Sequence, residues 1–89
     1  MSQAIADPEQ LLRFAAQLQN FQSTVADALS ALHGQFASLG ETWRDQERQK
    51  FEAEYEELEQ SVRRFLEATG GHVPYLRSKA EHLHAYQGQ

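Results

Sequence analysis

The 89-residue sequence has no cysteine, two prolines and five glycines. Disulfides and thiolate metal sites are therefore excluded as sources of stability. A chain this short buries a smaller share of its surface than a larger domain does. Without a covalent staple, the remaining route to a larger core is association with another chain. Basic residues are also scarce: eight Lys and Arg stand against thirteen Asp and Glu, for a formal net charge of −5. That balance argues against binding nucleic acid by phosphate neutralisation, which needs clustered cations, and against an anionic membrane surface. Long apolar runs are missing too, and membrane insertion is not expected, since a span needs roughly 18 uninterrupted apolar residues. The opening MSQAIADPEQ has no basic segment followed by an apolar one, so no cleavable signal peptide is expected. The product is read as soluble and cytoplasmic, or as exported by a route that ignores such a signal.

What the sequence does have is helical period. Asp7 followed by Pro8, with Gln10 three residues after Asp7, is a helix start: a carboxylate for the orphan amides and a proline suited to the first helical position. From there Leu11, Phe14, Leu18, Phe21, Val25, Ala28, Leu29, Leu32, Phe36 and Leu39 recur at steps of three and four, the spacing of one helix face. Leu11, Leu18, Val25, Leu32 and Leu39 fall at sevens, as coiled-coil-like packing requires. Gly40 then offers a residue that tolerates a left-handed cap. Helix one is expected over about residues 8–39, about 48 Å long. Gly34 inside it costs about 1 kcal/mol relative to alanine and is expected to mark a close approach by another helix.

A second pattern follows, with Phe51, Tyr55, Leu58, Val62, Phe65 and Leu66 on the three-four rhythm. Thr42 is the expected N-cap, with Asp45 at the third helical position as a carboxylate variant of the capping box. The turn would then occupy 40–42 and helix two about 43–69. Gly70, Gly71 and Pro74 predict a kink or break near 70–74. Tyr55, Val62, Leu76 and Leu83 keep one register across it, so a kinked continuation and a separate C-terminal helix over about 74–85 both fit. The tail YQGQ should fray. The whole, 1–89, is expected to be one all-α domain, an antiparallel helical hairpin.

Helix one carries only Glu9, Arg13 and Asp27 as charges, whereas residues 41–59 hold eight acids and three bases. A long helix with so few charges is expected to lie at the centre of an assembly. The acidic start of helix two is expected to be a solvated face or, less simply, an electrostatic docking patch.

Two long amphipathic helices joined by a short loop with tryptophan at its end resemble the WXG family of small helical-hairpin proteins linked to type VII secretion. The resemblance spans nearly the whole chain. In that family a Trp-x-Gly tripeptide forms the turn; here the matching residues are Trp43, Arg44 and Asp45, with aspartate in place of glycine. Gly40, three residues before Trp43, is a candidate to supply the turn. The resemblance implies pairing, as a homodimer or with a similar small helical protein, into an antiparallel four-helix bundle, and contact with secretion machinery. Exported members commonly carry a C-terminal Tyr-x-x-x-Asp/Glu signal. In this chain Tyr55 and Glu59 have that spacing within helix two, Tyr75 has Lys79 at that spacing, and Tyr86 reaches only Gln89, three residues on. Trp43 itself is open to two readings that are compatible: a ring closing the last apolar layer at the helix-helix turn, or an anchor for another protein.

Chemistry of other kinds finds little support. Glu81 and His84 have the Glu-x-x-His spacing of di-iron bundles, but such a site needs inward glutamates from other helices, and helix one offers only Glu9. His82 and His84, two apart, point to different sides. His33 is expected to be partly buried beside Leu32, and His72 to sit on loop surface. No cysteine nucleophile, convincing Ser-His-acid set or phosphate-binding glycine loop is present. No enzyme activity, metal or cofactor is therefore expected. The expected turn motif is Gly40, Trp43 and Asp45. The expected dimer or partner interface is Leu11, Phe14, Leu18, Phe21, Val25, Leu32, Phe36, Phe51, Tyr55, Leu58, Val62 and Phe65, packing helix into groove. The function expected is protein interaction, as a partner, adaptor or substrate of a type VII-like system. A helical adaptor or regulatory subunit unrelated to secretion is the alternative, and a metal-binding bundle a remote one.

Overall fold

A computed structural model describes residues 6–87 and folds them into two helices, α1 over Pro8–Leu39 and α2 over Gln46–Gln87. They run antiparallel as a hairpin with extents of 67 × 19 × 15 Å. The first five residues of the opening segment, and Gly88 and Gln89 of the tail expected to fray, lie outside the described residues.

α1 starts as its sequence dictates. Asp7 is extended, its carboxylate accepts the Glu9 amide at 3.0 Å, and its carbonyl accepts the Leu11 amide at 3.0 Å. Pro8, which has no N–H to satisfy, fills the first helical position and is buried. At the other end Gly40 does not take the left-handed cap: its φ and ψ are −61° and −18°, and no described glycine has positive φ. The chain instead tightens, with the amides of Gly40, Glu41 and Thr42 donating to the carbonyls of Ala37, Ser38 and Leu39. Such three-residue closures are a common way to satisfy a helix's last carbonyls.

Thr42 therefore does not open α2. Its hydroxyl points back to the Leu39 carbonyl at 3.5 Å, so it belongs to the end of α1. The residue that opens α2 is Asp45, whose Oδ1 accepts the Arg48 amide at 3.1 Å immediately before the first helical residue. The turn is accordingly longer than 40–42, and α2 begins three residues later than 43.

α2 also passes through Gly70, Gly71 and Pro74 without a break and continues to Gln87, so no separate C-terminal helix exists. An interior proline costs about 3 kcal/mol and each glycine about 1. Packing against α1 outweighs them: Thr69, Val73 and Ala80 are all buried on the side facing α1. Local side chains also reinforce the backbone there. Thr69 Oγ1 donates to the Phe65 carbonyl at 2.6 Å, and Gln22 of α1 donates through Nε2 to the Leu66 carbonyl at 3.0 Å. A Cβ on Gly70 would stand 3.3 Å from that Gln22 nitrogen, a tight contact that the flexible Gln22 side chain would have to relieve by a small shift.

The core changes character along the hairpin. In the open half Ala15 and Ala80 are fully buried, and their small side chains let the helices lie close. Towards the turn Phe36 stacks on Tyr55 with centroids 4.4 Å apart. Gly34 marks no close approach within the hairpin, since nothing lies within 4 Å of where its Cβ would be. It sits on the side of α1 away from α2.

Candidate interaction surfaces

The turn is built by Trp43, Arg44 and Asp45 acting in different directions. Asp45 caps α2, as above. Arg44 reaches back, its Nε donating to the Gly40 carbonyl at 3.1 Å, and so places a cation at the C-terminus of α1, where helix one has no basic residue of its own. Arg48 joins it from α2, lying 5.0 Å over the Phe36 ring. Gly40 leaves room for this: a Cβ there would come within 3.1 Å of Arg48 Nη2. The residue in the place of the family's glycine needs no left-handed backbone, because no described residue has positive φ. Trp43 donates its amide to the Leu39 carbonyl at 2.8 Å. Its half-buried ring lies 5.8 Å from Phe51.

From Trp43 a face of apolar side chains runs along the hairpin. Leu32, Leu39, Phe51 and Leu58, with Gln35 and the Phe36–Tyr55 stack, line a groove of about 580 Å³ next to the turn. Further along, Phe21 meets Phe65 edge to face at 5.9 Å. The residues expected at an interface thus divide three ways. Phe36 and Tyr55 are buried within the hairpin and Leu11, Leu18, Val25 and Val62 are half-buried, whereas Phe14, Phe21, Leu32, Phe51, Leu58 and Phe65 are exposed. Phe14 and Phe21 keep 56% and 52% of their surface in solvent. Such a row of half-exposed phenylalanines and leucines is a contiguous apolar surface and not a scatter of single residues.

The other face is polar. Glu59 faces α1 and is only 9% exposed, a position sequence periodicity alone would have given to an apolar residue. It is held by His33 of α1, whose Nδ1 lies 2.9 Å from Glu59 Oε2, and by Arg63 Nη2 at 3.3 Å. His33 is more open than its place beside Leu32 suggested, with 60% of its side chain exposed. In sequence Glu59 stood out only as the acid four residues after Tyr55. A second groove, about 460 Å³, lies on this side and is lined by His33, Glu41, Arg44, Arg48, Glu52 and Glu56, among others. The Tyr55 hydroxyl is buried without a hydrogen-bond partner. Burial, reinforced by the nearby Glu59 carboxylate and opposed by Arg63, raises its pKa above the ordinary value of 10.0.

At the open end, Arg77 Nη2 donates to Gln19 Oε1 at 2.6 Å, and His84 Nε2 lies 3.6 Å from Glu9 Oε2. Glu81 and His84 do not gather further ligands: among the described residues no three His, Cys, Asp or Glu side chains converge as a metal site would need. Nor, among those residues, is any helix long and apolar enough to cross a membrane.

The fold, the tryptophan turn and the sidedness define a small helical-hairpin protein with one apolar and one polar side. The family model described as proteins of 100 residues with WXG matches residues 3–86, so the chain belongs to the WXG100 family. That family comprises small non-enzymatic helical proteins linked to type VII secretion. Comparison with curated proteins and with solved structures returned no match.

Proposed function

We propose that the chain is a non-enzymatic interaction module that packs its apolar face on another small helical hairpin and serves a type VII-like secretion system in that paired form. The observation that carries this is the row of exposed apolar side chains from Phe14 and Phe21 to Leu58 and Phe51. Folding of one chain leaves these residues half in water, and burying a phenylalanine or leucine fully is worth about 1.5–3 kcal/mol each relative to exposure. Helix-on-helix docking is the contact such a stripe fits. Membership of a family whose proteins pair as homo- or heterodimers supports the same reading.

Within the secretion role, the Tyr-x-x-x-Glu inside α2 is not read as an export signal. The one Tyr-x-x-x-Glu in the chain, Tyr55 to Glu59, has both side chains buried between the helices, so it is not available as a linear signal. Tyr75 has Lys79 at the acidic position. The test is the mass of the purified chain by light scattering, alone and after co-expression with the small helical proteins encoded beside its gene. A 20 kDa class particle in either case supports docking through the face. A chain that stays at the 10.2 kDa monomer mass in both removes the proposal.

A further inference from the structure

We infer that the polar groove beside the turn is a docking site for an arginine-bearing peptide segment of another protein, with the guanidinium between Glu52 and Glu56 and a backbone carbonyl of the segment accepting from the groove's floor. The site lies across the Phe36–Tyr55 stack from the apolar face and does not depend on what that face binds. Two buried side-chain polar atoms, Arg48 Nε and the Tyr55 hydroxyl, have no hydrogen-bond partner among the described residues, and both residues line this groove. Tyr55 is only 7% exposed. Burial first, and the Glu59 carboxylate second, raise its pKa, with Arg63 opposing them. The hydroxyl therefore lies towards the polar side and stays a neutral donor at physiological pH. Buried donors are paired in nearly all folded proteins, so two unpaired ones on a single groove call for an occupant that brings acceptors.

Charge adds a second requirement. Glu41, Glu52, Glu56 and Glu59 line the groove against Arg44 and Arg48. Both arginines are engaged, Arg44 with the Gly40 carbonyl and Arg48 over the Phe36 ring. Glu59 is engaged as well, by His33 and Arg63. The carboxylates of Glu41, Glu52 and Glu56 enter no ion pair among the described residues. Glu52 is half-buried, where a carboxylate loses hydration without gaining a counter-charge. Glu52 and Glu56 stand one turn apart on α2 and so share a face. A flat guanidinium, with its fork of N–H donors, can bridge that spacing, whereas a lysine ammonium meets it as a point charge. The same carboxylates repel a free anion, so phosphate is not the acceptor that suits Arg48 and Tyr55. One arginine residue in a peptide meets both needs, because it carries a neutral carbonyl acceptor and a cation on the same short unit.

Titration of the isotope-labelled full chain, read by backbone amide chemical shifts, tests this. The probes are acetyl-Gly-Gly-Arg-Gly-Gly-amide, its counterparts with lysine or with citrulline, the uncharged isostere of arginine, and free arginine. The expected result is saturable shifts around Glu52, Tyr55 and Glu56, with a Kd on the order of 1 mM for so short a probe. The lysine peptide should bind several-fold more weakly, and the citrulline peptide and free arginine more weakly still. Glu52→Gln combined with Glu56→Gln should weaken the arginine peptide on the order of tenfold, and Tyr55→Phe roughly threefold. Glu54→Gln combined with Glu57→Gln removes the same charge from exposed positions outside the groove and should change affinity by less than about twofold. Circular dichroism confirms that each variant keeps its helicity. Equal weakening by the two pairs would reduce the effect to net charge and overturns the inference. So does a citrulline peptide that matches the arginine peptide, or the absence of shifts at about 10 mM peptide. A lysine peptide that binds as well overturns the choice of arginine, and free arginine that binds as well overturns docking of a segment.

Discussion

On one side of the Phe36–Tyr55 stack the hairpin presents Leu32, Leu39, Phe51 and Leu58; on the other it presents His33, Glu52, Glu56 and Glu59. The two sides are built on the same helices, one residue apart in phase, and the proposed pairing assigns them different equilibria. Polar-side residues close contacts within the chain, as His33 and Arg63 do on Glu59. Apolar-side residues such as Phe14 finish the fold still half exposed. Substitutions on the two sides should therefore separate pairing from hairpin stability, and several experiments can break that separation.

The largest effect is expected from a charge in the middle of the apolar side. Phe21→Asp puts a carboxylate where Phe21 meets Phe65 and should weaken pairing on the order of a hundredfold, as truncation of an interface anchor does. Helicity of the monomer should be largely kept. Sedimentation together with circular dichroism checks both halves. Loss of helicity equal to the loss of pairing would show that the two sides are not separable.

On the polar side the expected loss falls on the hairpin. Glu59→Ala removes the acceptor shared by His33 and Arg63 and leaves a space facing α1. It should lower unfolding free energy by about 1.5–3 kcal/mol, the range for a hydrogen bond to a charged group. Urea denaturation at a fixed chain concentration reads it. Unchanged stability would mean the buried carboxylate is held no better than its hydrated form.

Next in size are changes to the backbone framework that the two sides share. Asp45→Ala should cost about 1 kcal/mol as a lost N-cap, whereas Thr42→Ala should cost less because that hydroxyl only approaches Leu39 at 3.5 Å. An equal cost at both positions would contradict the assignment of Asp45 as the residue opening α2. Gly71→Ala should stabilise the hairpin by about 0.5–1 kcal/mol, since nothing lies within 4 Å of the added carbon. A loss at Gly71 together with weaker pairing would place that side of α2 in contact with the partner.

These framework residues also mark how far the sequence could be read. The two helices, the start at Asp7 and the register of Leu11, Leu18 and Val25 were legible because capping and period are local properties. The choice between continuation through Pro74 and a separate C-terminal helix was not, because it depends on Thr69, Val73 and Ala80 finding α1, a contact between residues dozens of positions apart. Gly40 shows the same limit in reverse. Its sequence context suggests a left-handed cap, whereas its backbone is right-handed and a Cβ there would crowd the Ala37 carbonyl and the end of Arg48, which only the fold brings near. At the surfaces, periodicity found the apolar stripe but could not divide it into residues spent inside the hairpin, Phe36 and Tyr55, and residues left outside, such as Phe51 and Leu58. That division depends on how the second helix is rotated against the first.

The smallest expected effect lies where the two sides meet. Tyr55 lines both grooves, yet its hydroxyl has no hydrogen-bond partner. An unpaired buried hydroxyl contributes nothing by its polarity, so Tyr55→Phe should leave stability at neutral pH unchanged or slightly higher. Alkaline pH distinguishes the two forms. Burial first, and the Glu59 carboxylate second, raise the Tyr55 pKa in the folded chain above 10.0. The folded state thus holds this proton more tightly than the unfolded state does. The corresponding stability is fully present below about pH 10, the unfolded value, and is lost as pH rises through the higher folded value. Urea denaturation of both proteins at pH 7 and pH 10.5 should show the parent losing more stability than Tyr55→Phe over that interval, with other titrating groups cancelling between the two. Equal losses would mean that the Tyr55 hydroxyl reaches solvent in the folded chain, and that the stack does not seal one side of the hairpin from the other.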